Sequence, residues 1–302
     1  MVKTHIYTLD LNFQGIPETI ASYLIPHSQG VILVESGPGS TLHSLEKSLS
    51  KYGATFADIT HVLLTHIHLD HAGAAGWLAR QGAQIYVHEI GAPHMINPEK
   101  LIKSATRIYG EKMDSLWGEF LPVPEEKISI LTGDGELQIG GLHFRYLDTP
   151  GHAYHHMAYI FEETCFSGDV GGVRLPGPPF LRLPTPPPEF HIESWRESIK
   201  KLKNAAPAQI APTHFGIFRN ADWHLDMLEQ TLNDVELWME ATLPTIPEKE
   251  ALRDPFTGWE LNRCKTAGMD SATLHAYSLA MPLDMGADGI WRYWDKFRTA
   301  AT

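Results

Sequence analysis

The chain has 302 residues, 43% of them hydrophobic and 20% charged, and a formal net charge of −12. That composition belongs to an ordinary soluble globular protein with a sizeable core, of a length suited to one large domain with an appendage. No Lys/Arg cluster of the kind that binds nucleic acid is present, and no apolar run reaches the roughly 18 residues needed to cross a bilayer. Residues 4–9, 21–26 and 31–35 are short, apolar and β-branched, and read as strands. Ser36-Gly37-Pro38-Gly39 breaks the chain, and Ser40 or Thr41 can cap a helix over 42–52. A buried strand over 61–65 follows, then a helix over 73–81 and a strand over 84–88. Residues 89–120 are mostly helical, with a break at Asn97-Pro98. Strands over 128–131, 136–139 and 142–148 are separated by glycine turns. Segments 156–161 and 164–167 pair across Glu162-Glu163.

Residues 171–189 are too rich in Pro and Gly for a helix or a central strand. So long a loop in a compact domain predicts an active-site lid. A helix over 191–202 and a strand over 209–212 come next. The helix over 222–241 carries Leu225, Leu228, Leu232, Val235 and Trp238 at helical spacing. No strand is expected beyond residue 220. Two sheets packed together, with helices outside, fit this order better than one doubly wound sheet.

The first residues run straight into a strand pattern with no signal-peptide core, so a cytoplasmic location is the default expectation. Cys165 and Cys264 lie in no metal-binding spacing and read as small buried hydrophobes.

Histidine is the anomaly, with 17 copies, several of them in tight groups. His66-Ile67-His68-Leu69-Asp70-His71 forms an HxHxDH motif where a buried strand ends and a helix begins. In extended backbone His66 and His68 point one way, so two imidazoles can bind one ion. Asp70 and His71 sit at the helix opening, turned toward a second ion. Packing three histidines and a carboxylate together without a metal would leave polar groups unsatisfied. Three more candidates each follow an apolar strand: His152 in Pro150-Gly151-His152, Asp169 in Ser167-Gly168-Asp169, and His214 in Thr213-His214. Alone, each is an ordinary turn residue; with HxHxDH they make an ordered set. In a strand His155 and His156 face opposite ways, so at most one joins His152.

The ordered set HxHxDH, PGH, SGD and TH resembles the metallo-β-lactamase-fold superfamily, in its glyoxalase II or lactonase-like branch. Gly37 after Val34-Glu35 is similar to that family's early strand and glycine turn, with Glu35 where Asp is usual. The resemblance covers about residues 1–220. It implies an α+β fold, an αββα sandwich of two mixed β-sheets with outer helices, followed by a C-terminal helical extension over 221–302. It assigns His66, His68 and His152 to one metal ion, and Asp70, His71 and His214 to the other, with Asp169 bridging. It implies a bridging hydroxide that attacks a carbonyl carbon, with Asp70 orienting the nucleophile or carrying its proton. The nitrogen and oxygen donors suit Zn foremost, with Fe or Mn also compatible.

The expected activity is hydrolysis of a small carboxylic ester, thioester or lactone. The alternative is an iron-dependent, sulfur dioxygenase-like oxidation on the same fold, and a third reading is a non-enzymatic metal-stabilised binding module. Candidate substrate contacts are Tyr154, Arg174, Phe180 and Arg182; the arginines could hold a carboxylate, or be solvated surface. Trp259, Trp291, Tyr293 and Trp294 read as core or dimer contacts, so a homodimer is an open expectation. The expected partner is a small molecule, with neither nucleic acid nor membrane.

Overall fold

The computed structural model describes residues 4–246 and 248–299. Strands β1 (Tyr7–Asp10), β2 (Ala21–His27), β3 (Gly30–Val34), β4 (Ile59–Leu63), β5 (Gln84–His88) and β6 (Ile128–Leu131) form a sheet in that order. The order of the second sheet is β11 (Gln209–Ala211), β10 (Thr164–Phe166), β9 (Met157–Phe161), β8 (Leu142–Asp148), β7 (Gly135–Ile139). Both sheets are mixed: β1, β2 and β3 pair antiparallel and β3 to β6 parallel. In the second sheet only β10 and β11 run parallel.

Side-chain alternation builds the layers. Tyr23 and Ile25 of β2, Ile32 and Val34 of β3, and Met157, Tyr159 and Phe161 of β9 meet in one core between the sheets. The alternate residues face outward: Leu24 and Leu33 into one helix-covered core, Ala158 and Ile160 into another. The first outer layer is α1 (Leu42–Ser50), α2 (Leu69–Ala72), α3 (Ala75–Arg80), α4 (Ala92–Ile96), α5 (Glu99–Tyr109) and α6 (Met113–Trp117). The second comprises α7 (Ile192–Ala205), α8 (Ala221–Thr242), α9 (Arg253–Thr266), α10 (Ser271–Ala280) and α11 (Leu283–Phe297). This is the expected αββα arrangement. Leu225, Leu228, Leu232 and Val235 of α8 are buried in the core that holds Trp195 and Ile210, each contributing about 1.5–3 kcal/mol.

The Pro/Gly-rich segment is not a lid. Leu175, Phe180, Leu181, Leu183, Thr185 and Phe190 are buried, and Val173 pairs with Arg182 across an antiparallel bridge. Tail helices hold it from outside. The Tyr277 hydroxyl donates to Phe180 O at 3.2 Å, and the Thr185 hydroxyl to Gly286 O at 3.1 Å. The segment is a strap fastened beneath α9, α10 and α11, because its large apolar side chains pack among those helices. Of the tail aromatics, Tyr293 is buried, while Trp259, Trp291 and Trp294 are partly buried against the same core. Both cysteines are buried and unpaired. Among the described residues, no helix is long and apolar enough to cross a membrane.

Candidate metal centre

The HxHxDH motif leaves the end of β4 and turns into α2. His68 stands at the helix start with extended backbone, φ −62° and ψ 156°, and Asp70 and His71 lie in the first turn. Ile67 is buried in the outer core, so the histidines flanking it turn the other way. His66 Nε2 and His68 Nδ1 stand 3.0 Å apart. His152, in the loop between β8 and β9, brings Nε2 to 3.0 Å from the same His68 nitrogen. These three form one group of donor atoms, and Asp70, His71 and His214 form another.

Asp169 lies between the two groups, in the turn after β10. Its Oδ2 is 3.4 Å from His152 Nε2; its Oδ1 is 3.3 Å from His71 Nε2 and 3.6 Å from His214 Nε2. Asp70 Oδ2 is 3.6 Å from His71 Nε2 and 3.5 Å from His214 Nε2. All seven residues singled out in the sequence are thus gathered in one place, from the ends of strands in both sheets. The turn that carries Asp169 needs Gly168, at φ +50°, where a Cβ would stand 2.5 Å from Thr65 Oγ1 and 2.6 Å from His156 Nε2.

The donor chemistry fits metal ions. His71 Nε2, His214 Nε2 and Asp169 Oδ1 are buried and make no hydrogen bond, although burying an unpaired polar atom costs about 1–3 kcal/mol. They converge on one another. Four of the five histidines place their other ring nitrogen on an oxygen: His66 on Thr65 Oγ1, His71 on Glu35 Oε1, His152 on Pro184 O and His214 on Thr19 O. Such partners fix ring orientation and tautomer in metal sites. A further group, Glu35 with His66 and His71, overlaps these. Glu35, however, is taken up on the far side by Thr65 N–H, the Thr65 and Thr213 hydroxyls, and His71.

The electrostatics divide the site. Burial, with neighbouring histidines, pushes His66 well below the ordinary imidazole value and His152 down to about 4, leaving their lone pairs free. Burial acts the same way on His71 and His214, but Asp169 and Asp70 outweigh it and hold both above their ordinary value. Burial opposes ionisation of Asp169, yet His71, His152 and His214 keep it well below the carboxylate range. The space among Asp70, Asp169, His71 and His214 therefore favours positive charge.

The candidate substrate contacts are placed differently. Tyr154 is 37% exposed, and its N–H donates to Glu189 Oε2 at 2.8 Å. Arg174 lies over the Phe218 ring at 3.7 Å and donates to Asn220 Oδ1 at 3.0 Å. Arg182 is 1% exposed. Its guanidinium reaches Glu260 Oε2 at 3.3 Å, Tyr277 O at 3.2 Å and Cys264 Sγ at 3.1 Å. It is neither solvated surface nor open to a ligand, because it ties the strap to α9 and α10. Phe180 is buried edge-on to Tyr277.

His155 and His156 correct the expectation of opposite faces. They precede β9 rather than lying in it, and both are buried with ring centroids 6.0 and 5.1 Å from that of His66. His156 accepts from Val170 N–H and pairs with Thr149 Oγ1, which holds the turn next to Asp169. That Thr65 and Thr213 hold Glu35 was not read from the sequence. Each adjoins a candidate histidine, the only signal either carries.

Residues 15–214 match the metallo-beta-lactamase superfamily. The metallo-beta-lactamase fold-containing protein ST1585 of Sulfurisphaera tokodaii is 25% identical over 210 residues, 67% of this chain and 74% of that one. An atrochrysone carboxyl ACP thioesterase of Aspergillus fumigatus is 24% identical over 209 residues, 68% of this chain but only 40% of the fungal protein. The crystal structure of metallo-beta-lactamase family protein TTHA1429 from Thermus thermophilus superposes with a TM-score of 0.66 at 20% identity. That superposition covers 96% of this chain and 93% of the other, a likeness of fold. By the extent of the sequence match and by its architecture, this chain belongs to the metallo-beta-lactamase superfamily.

Proposed function

We propose that this chain is a hydrolase that works with two divalent cations and cleaves a small carboxylic ester, thioester or lactone. The observation that carries the reading is the convergence of seven side chains around buried nitrogen and oxygen atoms that lack any other partner. His66, His68 and His152 would hold one cation and Asp70, His71 and His214 the other, with Asp169 shared. The imidazole-rich set without thiolate favours zinc, and admits iron or manganese. Bound there, two divalent cations supply Lewis acidity toward a carbonyl oxygen and lower the pKa of a water toward 7.

The protein's own contribution is orientation and proton handling. Asp70 keeps 18% of its side chain exposed, against 6% for Asp169. Asp70 thus reaches the open side, where it can orient an attacking water and accept its proton. Glu35, Thr19 O and Pro184 O hold three imidazoles in the tautomer that presents Nε2. A relative named as a thioesterase supports an acyl substrate, and the net charge of −12 disfavours a polyanion. The two buried unpaired cysteines suit a reducing, cytoplasmic setting.

The test is metal analysis of the purified protein together with turnover on a panel of thioesters, lactones and aryl esters. Two Zn or Mn per chain, with hydrolysis lost to a chelator and restored by metal, is the expected result. One Fe per chain with oxygen uptake and no hydrolysis would overturn it in favour of an oxidation.

A further inference from the structure

We propose that Gly289 on α11 is a positioning residue for His152, acting through the strap. The inference rests on the metal-centre reading above. A Cβ on Gly289 would stand 1.9 Å from Thr185 O, 2.8 Å from Pro186 C and 2.9 Å from Pro187 N. All three are backbone atoms, which cannot swing aside as a side-chain tip can. One turn earlier, the Thr185 hydroxyl donates to Gly286 O at 3.1 Å, and a Cβ on Gly286 would meet Met281 Cε at 2.2 Å and that hydroxyl at 3.2 Å. The helix thus presents two glycines to a single strap residue. Glycine inside a helix costs about 1 kcal/mol relative to alanine, so helix propensity does not account for either.

The residue before Thr185 is Pro184, whose carbonyl oxygen lies 2.8 Å from His152 Nδ1. The other nitrogen of that ring faces His68 Nδ1 at 3.0 Å and Asp169 Oδ2 at 3.4 Å. Two consecutive peptides, hinged at Thr185, therefore join the α11 contact to the orientation of a metal-facing imidazole. A methyl group at position 289 must displace Thr185 O, and the adjoining Pro184 carbonyl moves with it. The hydrogen bond that fixes the His152 ring then lengthens or turns. Loss of such an outer partner lowers metal affinity by about 10–100-fold. The helical tail, which supplies none of the seven donors, takes part in the centre in this way.

The experiment titrates Co(II) into metal-free wild type, G289A and I290A, reading affinity, visible absorption bands and thermal midpoint. Ile290 shares its core with the strap's Leu181 and Leu183, so I290A loosens α11 by removing side-chain atoms and adds none against the strap backbone. In G289A, one Co(II) is expected to bind at least about tenfold more weakly, with altered bands. I290A should lower the thermal midpoint and keep the wild-type bands. If G289A does not fold, T185V keeps the volume, removes the bond to Gly286 O and is read by the same criteria. Wild-type affinity and bands in folded G289A, or in T185V where G289A does not fold, overturn the proposal, as does an equal spectral change in I290A. Wild type that takes up no Co(II) overturns the metal-centre reading itself.

Discussion

Glu35 Oε1 stands 2.9 Å from His71 Nδ1, while the opposite nitrogen of that ring stands 3.3 Å from Asp169 Oδ1. The imidazole is held between two carboxylates, one anchored among buried hydroxyls and one facing the centre. Glu35 sits at φ +68°, an uncommon backbone conformation for a residue with a side chain. Glu35→Gln keeps the shape but removes the charge that fixes the His71 tautomer. Metal affinity at the Asp70, His71, His214 group should fall about 10–100-fold while the fold is retained. Competitive titration with a chromophoric chelator, alongside circular dichroism, measures both.

His68 Nδ1 faces both His66 and His152 at 3.0 Å, so His68→Ala removes the common member of that group. Turnover should fall by more than about a hundredfold, beyond the loss of an outer partner alone, and metal content should drop toward one ion per chain. Elemental analysis and steady-state rates check this; full turnover in the variant would remove metals from the mechanism.

Metal uptake should release protons, and affinity should rise with pH. The sign follows from His71 and His214, whose pKa values are held above the ordinary 6.5 by Asp169 and Asp70, against the effect of burial. In the metal-free protein these rings hold their protons to higher pH than an ordinary imidazole, and a cation must displace them. Affinity is therefore lost as pH falls through their titration. Isothermal titration of zinc in buffers of different ionisation enthalpy counts the protons released. A count of zero near pH 7 contradicts the arrangement.

Arg182 and Glu260 form a buried ion pair, each side chain 1% exposed. Removing one partner of such a pair costs about 3–5 kcal/mol. Arg263 remains 2.7 Å from Glu260, which puts Arg182→Met near the lower end, about 3 kcal/mol. Denaturant unfolding reads the loss, and replacing Glu260 with Leu in the same chain should recover part of it. The KM of the folded variant should match wild type, since the guanidinium is not offered to substrate.

The centre was legible because its chemistry is compressed in sequence. Four of the seven donors fall within six residues, His66 to His71, and the other three each follow an apolar strand. The strands were legible as short apolar runs, as over 21–26, but not the faces that Tyr23 and Ile25 take against Leu24, because both faces of the sheet are buried. What escaped notice has no period. Arg182 meets Glu260 across 78 positions, and Thr185 meets Gly286 across 101. The outer partners of His152 and His214 are the backbone carbonyls of Pro184 and Thr19, an atom that every residue carries. A proline-rich stretch also looks alike whether it hangs over a cleft or is bolted under helices.

His66, His68, Asp70 and His71 come from one sheet, and His152, Asp169 and His214 from the other. An ion gripped by both would act as a rivet through two plates. Separating the plates means pulling the rivet, so resistance to unzipping this sandwich should follow the strength of the grip, and chelation should leave the plates to part on their hydrophobic contact and the few hydrogen bonds that cross it, such as Thr213 to Glu35.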